Sequence, residues 1–176
     1  MGEIVNRVKN SSLITIDVSD FYDGRERINL EISDFLDNGI LIEKHFREKL
    51  KDYDWSKFNN KYVHVSSDDE QIIPSWAFIL ISYYLSSCCL NHVYGDLKNL
   101  DEKLYLQKID SIDFSMYKNK KVIVKGCSEI PNFEFVYFEL TKRLTPLVFS
   151  LMYGEPCSTV PTVSYTHLRA HETSEN

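Results

Sequence analysis

The chain has 176 residues, 43% hydrophobic and 26% charged, the composition of a soluble globular protein long enough for one sizeable core. Its net charge of −6 argues against a general nucleic-acid-binding surface, which is usually basic. The start, Met1–Val8, lacks the apolar core of a signal peptide, and the most apolar run, Trp76–Leu90, is too short and too rich in serine to span a membrane. The four cysteines therefore read as reduced thiols in a cytoplasm.

Leu13–Val18 alternates and is β-branched, which predicts a strand. Asp23-Gly24 marks a turn. Arg27–Ile32 places Ile28, Leu30 and Ile32 on one face, a half-buried strand. Asp37-Asn38-Gly39 then supplies residues that tolerate positive φ, and Ile40–Ile42 follows. The expectation is an N-terminal antiparallel hairpin flanking a mixed sheet. Glu43–Tyr53 is a helix with Phe46 and Leu50 inward, and Tyr62–Val65 is a strand. Pro74 suits the first turn of a helix over 74–89, with Trp76, Ile79, Leu80, Tyr83 and Tyr84 on its buried side. His92–Tyr94 is a short strand closed by Gly95-Asp96.

The order then repeats. Asn99–Asp110 is a helix, Val122–Val124 a strand, and 132–145 a helix burying Phe133, Val136, Tyr137, Leu140 and Leu144. A last strand within Leu147–Tyr153 ends at Gly154-Glu155. At an offset of 59, Asp54 meets Asp113, Ser56 meets Ser115, Asn60 meets Asn119, Val63 meets Val122 and Val65 meets Val124. The loop after the strand aligns Ile73-Pro74 with Ile130-Pro131 at 57, and 59 returns at Tyr94-Gly95-Asp96 and Tyr153-Gly154-Glu155. This pattern reads as a duplicated helix–strand–helix–strand unit over about 41–97 and 100–156. The predicted fold is a single α/β domain over 1–162. Residues 163–176 read as a foreign, disordered tail resembling a translated sequencing adapter, so His167 and His171 are excluded from any metal argument.

Parallel α/β sheets bind ligands at the carboxyl ends of their strands, near a switch in strand order. Asp68, Asp69 and Asp96 leave those ends in the first copy, and Lys125, Gly126, Cys127, Glu155 and Cys157 in the second. Cys127 precedes a helix start, where a thiolate is favoured, and Lys125 stands close by in sequence. Two thiols on one sheet edge suit a soft metal or an iron–sulfur species, though they are too few for a four-cysteine cluster. Cys88 and Cys89 read as small buried residues at a helix end, and His64 as a satisfied sheet-face histidine. Neither phosphate-loop pattern nor a nucleophile elbow is present.

Several stretches carry a resemblance: Glu3–Arg7, Asp54-Trp55-Ser56, Pro74–Ala77, Val93–Asp96, Lys125-Gly126-Cys127 and above all Gly154-Glu155-Pro156-Cys157-Ser158-Thr159-Val160-Pro161. Over residues 1–162 the chain resembles a bacterial family known as domain of unknown function 2480. The family carries no assigned activity, so the resemblance transfers no catalytic role and leaves the cofactor unknown; it points only to gene neighbourhoods of iron–sulfur cluster assembly. The reading is thus a non-enzymatic scaffold or protein-binding protein of the cytoplasm, independent of nucleic acid and membrane. The alternative is a thiol or metal-binding accessory factor using Cys127 and Cys157.

Overall fold

β1 (Leu13–Asp17) and β2 (Arg27–Glu31) both run directly into a 3-10 turn, Val18–Phe21 and Ile32–Phe35. The two segments match at an offset of 14: Ile14 with Ile28, Ile16 with Leu30, and Val18-Ser19-Asp20-Phe21 with Ile32-Ser33-Asp34-Phe35. In each, the aliphatic residue and the phenylalanine of the turn are buried, so the chain leaves the sheet plane at once. The computed structural model describes residues 13–68, 70–126, 130–155 and 157–164.

The predicted N-terminal hairpin does not form. β1 pairs in parallel with β5 (Lys121–Lys125), and β2 in parallel with β3 (Tyr62–Ser66). Asp37-Asn38-Gly39-Ile40 does turn back on itself, with Asn38 and Gly39 at φ of 52° and 81°, but only through one isolated bridge. The turn chemistry was legible; the preceding 3-10 turn leaves it no strand to join. Two sheets replace the one expected. The first has the order β1-β5-β6-β7, with β6 at Ser150–Glu155 and β7 at Ser158–Ser164. The second is all parallel, β2-β3-β4, with β4 at Asn91–Tyr94. The antiparallel flank is therefore C-terminal, the β6–β7 hairpin. β7 reaches Ser164, into the stretch read as foreign, and residues 165–176 lie outside the described residues.

The fold is α/β, with the chain in two compact units. The continuous unit is Gly24–Leu104; the split unit takes the chain up to Asp23 and again from Tyr105. The continuous unit contains β2, α1 (Glu43–Asp52), a 3-10 turn (Trp55–Phe58), β3, α2 (Ser75–Ser86) and β4. The split unit contains β1, the end of α3 (Leu97–Asp110), a 3-10 turn (Phe114–Tyr117), β5, α4 (Phe133–Leu144), β6 and β7.

Each unit has its own core, and the two cores use corresponding residues. Phe46, Leu50 and Phe58 correspond to Tyr105, Ile109 and Tyr117 at 59. Asp54 and Asp113 each cap their 3-10 turn by accepting from the amide of Ser56 or Ser115 at 3.0 Å. Asn60 and Asn119 both take positive φ, 60° and 59°. Sheet register repeats as well: Val63 faces Ile28 and His92, and Val122 faces Ile14 and Leu151.

The helices correct the earlier alignment. α2 buries Ala77, Ile81 and Leu85, and α4 buries Val136, Leu140 and Leu144, which correspond at 59, not 57. Ile79 and Tyr83, expected inside, are each 71% exposed. A helix apolar on nearly every side gives periodicity no face to choose, and small Ala77 was overlooked as an anchor.

Candidate functional site

In both sheets the strands that neighbour one another follow chain order, with β1 beside β5 in the split unit. α1 and α2 share one core, and so do the end of α3 and α4. Helices thus lie on one face, and the crevice that a reversal of strand order would open is absent from the described sheets. What the strand ends hold instead is a set of close pairs.

In the split unit, Asp17 and Lys125 are register partners at the ends of β1 and β5. Lys125 Nζ lies 3.2 Å from Asp17 Oδ2 and 3.8 Å from Glu155 Oε1. Its ammonium is already matched by two carboxylates, which weakens it as a stabiliser of any thiolate nearby. Those pairings raise its pKa, the bond to Asp17 foremost. Gly126 takes φ of 147°, and a Cβ there would overlap Val18 Cγ2. Its carbonyl accepts from the Tyr137 hydroxyl at 3.0 Å. The structure thus brings Lys125, Gly126 and Glu155 to one edge. Cys157 is exposed at the tip of the β6–β7 hairpin, and Cys127 lies outside the described residues.

The carboxylates of the continuous unit have local duties. Asp96 Oδ1 accepts from the Asn99 amide at 2.8 Å while Asn99 Oδ1 accepts from the Asp96 amide at 3.0 Å, a reciprocal cap at the start of α3. Asp68 accepts from the Glu70 amide at 3.1 Å within its turn, and Asp69 lies outside the described residues. No three His, Cys, Asp or Glu side chains among the described residues are placed to hold a metal ion. Cys88 and Cys89 pack against the core of the continuous unit, and burial pushes the Cys89 thiol up to about 11, helped by Cys88. His64, expected to be satisfied, has a buried Nδ1 without a hydrogen-bond partner among the described residues.

Asp17 offers a pH test. The Ser19 hydroxyl, then the Ser19 amide and Lys125, hold its carboxyl below the ordinary value of 3.8 despite burial that opposes them. A depressed carboxyl adds stability that is complete above its unfolded pKa and lost as pH falls through the folded one. Urea titrations at about pH 6 and about pH 2.5 should show a smaller acid-induced loss for Asp17→Asn than for wild type. Equal losses would remove Asp17 from the acid response.

Two features were not read from the sequence. The first is a groove beside each edge helix. In the continuous unit it has about 290 Å³ and runs between α2 and β4, lined by Val65, Phe78, Ile81, Ser82, His92, Val93 and Tyr94. In the split unit it has about 390 Å³, with Tyr137, Thr141, Met152 and Tyr153 at corresponding positions and Thr162 of β7 added. Phe78 meets Tyr94 edge-on at 5.0 Å, and Tyr137 meets Tyr153 likewise at 5.6 Å. The offset of 59 already pairs these rings, so the signal was available.

The second is the outward face of α2. Ile79 and Tyr83 stand exposed beside half-buried Trp76 and Leu80, and these four with Arg47 of α1 line a groove of about 430 Å³. Arg47 Cζ sits 4.9 Å from the centre of the Trp76 ring, while its Nε donates to Glu43 at 2.9 Å. The corresponding position on α4 carries Phe138, 78% exposed.

A family model described as a protein of unknown function (DUF2480) matches residues 2–164. No curated protein and no solved structure matches the chain. No helix among the described residues is long and apolar enough to cross a membrane.

Proposed function

This chain belongs to the DUF2480 family, and from its own geometry we propose that it is a non-enzymatic protein that binds another protein through the outward face of α2. The observation that carries this reading is the exposure of Ile79 and Tyr83 beside Trp76 and Leu80. Full burial of such side chains is worth about 1.5–3 kcal/mol each, and contiguous apolar surface of this kind marks interaction sites. The groove is flanked by a helix on each side, which suits the apolar row of an amphipathic helix with an acidic residue near Arg47. It is a cytoplasmic reading, with neither nucleic acid nor membrane as the target.

The test places a photocrosslinking phenylalanine analogue at Tyr83, and at exposed Lys118 as control, in the native cell. The expected result is one dominant product from position 83, joined to an amphipathic helix of the partner. A synthetic peptide of that helix should bind the wild-type protein at least about tenfold more tightly than Ile79→Asp. Identical products from both positions, or a peptide indifferent to Ile79→Asp, would sink the proposal.

A second reading keeps thiol or soft-metal chemistry at Cys127 and Cys157, serving iron–sulfur cluster assembly. It is supported by the exposed thiol of Cys157, two residues beyond the Glu155 that meets Lys125. Metal and sulfide analysis of protein purified without oxygen, beside a Cys127→Ser, Cys157→Ser double variant, decides it. Metal lost in the variant supports it; metal-free wild-type protein rejects it.

A further inference from the structure

The two units act as controls for each other, and they differ inside their grooves. Val65, Phe78 and Tyr94 have close counterparts in Val124, Tyr137 and Tyr153, so wall and rings are kept. The position of Leu151, buried on β6, is taken on β4 by His92. Its Nε2 lies 2.8 Å from Ser82 Oγ, and its Nδ1 3.6 Å from Cys89 Sγ. The hydroxyl of Ser82 has a counterpart in Thr141, so the difference is an imidazole where the twin groove has a leucine. Desolvating an imidazole costs free energy that a leucine would not.

The pair is also uncharged near neutral pH. Burial lowers the His92 pKa, and the Cys89 thiol is pushed up to about 11, so neither ionises there. The residues lining the groove include no Lys, Arg, Asp or Glu. Such a site repels a carboxylate or an ammonium, which would lose its hydration without gaining a counter-charge. Its volume, about 290 Å³, lies at the lower end of ligand pockets and suits a compound built on one ring. Phe78 and Tyr94 offer that ring edge and face contacts. Tyr94 is itself held, its hydroxyl 2.8 Å from Ser67 Oγ.

We propose that the groove between α2 and β4 binds a small uncharged aromatic compound bearing one hydroxyl. The ring packs against Phe78, Val93 and Tyr94, and the hydroxyl exchanges hydrogen bonds with the Ser82–His92 pair. This site is separate from the outward face of α2: Ile79 and Tyr83 do not line it. Either proposal can therefore fail without the other.

Phenol is the probe, with toluene lacking the hydroxyl and benzoate bearing a charge. Full-length protein is titrated with each while the imidazole proton resonances are followed by NMR. His92→Leu, which copies the residue of the other unit, assigns the signal and should fold. Phenol is expected to shift the His92 resonance saturably and to bind about tenfold or more tighter than toluene or benzoate. Ser82→Ala and His92→Leu should each weaken phenol by about tenfold and leave toluene unchanged. Equal binding of phenol and toluene, an unmoved His92 resonance, or phenol affinity untouched by both substitutions would overturn the proposal.

Discussion

Replacing Gly126 by alanine should cost the protein about 2–6 kcal/mol of stability. Two effects combine. A φ of 147° is open to glycine and strained for any L side chain, at about 1–3 kcal/mol. The new methyl group would also overlap Cγ2 of Val18, which is fully buried and has no room to retreat. Overpacking of that kind adds about 1–3 kcal/mol. The double variant Val18→Ala, Gly126→Ala separates the two: relief of the clash should make its loss smaller than the sum of the single losses. Urea denaturation measures all three. A Gly126→Ala protein within about 0.5 kcal/mol of wild type would show that the turn is free to move.

The second large effect lies in the continuous unit. Asp101 of α3 is 2% exposed, and its Oδ1 accepts from Arg27 Nε at 2.6 Å. The guanidinium also donates to the Arg25 carbonyl at 2.7 Å and lies 5.7 Å from the Tyr62 ring centre. Asp101→Ala would remove the buried carboxylate that accepts from this guanidinium, at about 3–5 kcal/mol. The joint replacement Arg27→Met, Asp101→Leu should cost far less, because both desolvation penalties vanish with the charges. A double-mutant cycle in urea reads the coupling. Additive losses would mean that the two charges stabilise the fold separately.

What could be read from the sequence follows from how local each signal is. α4 was placed, and its buried face chosen, because Val136, Leu140 and Leu144 recur at helical spacing among polar residues such as Glu139 and Lys142. α2 was placed but turned the wrong way, because Trp76, Phe78, Ile79, Leu80, Ile81, Tyr83 and Tyr84 leave only the narrow stripe of Ser75, Ser82 and Ser86 to oppose them. The strands were legible in β3 and β5; their partners were not. The turn residues Asp37-Asn38-Gly39 between Arg27–Ile32 and Ile40–Ile42 favoured a hairpin, yet β2 pairs with β3, as β1 pairs with the more distant β5. The offset of 14 between β1 and β2 is the sequence feature that marks them as equivalent strands. At the candidate sites, Lys125 and Glu155 were each read as leaving a strand end beside a cysteine, and their ion pair with each other was not read. The Ser82–His92 pair was not, since it joins a helix to a strand across a turn and carries no motif.

The nesting of one unit inside the other sets an order of events during synthesis. Leu13 is made early but pairs with Lys121, so β1 waits about 5–20 s for β5 at a ribosomal rate of about 5–20 residues per second. β2 waits roughly a third as long for β3. When β3 emerges, two strands of like pattern are on offer, and β1 in the place of β2 would be a kinetic trap with nearly every side chain on its proper face. The residues that sort them stand at the strand ends. Glu31 accepts from the Ser66 hydroxyl at 2.7 Å, whereas Asp17 has its match in Lys125. The ion pair at the sheet edge favours β1 only with β5, the partner that arrives last.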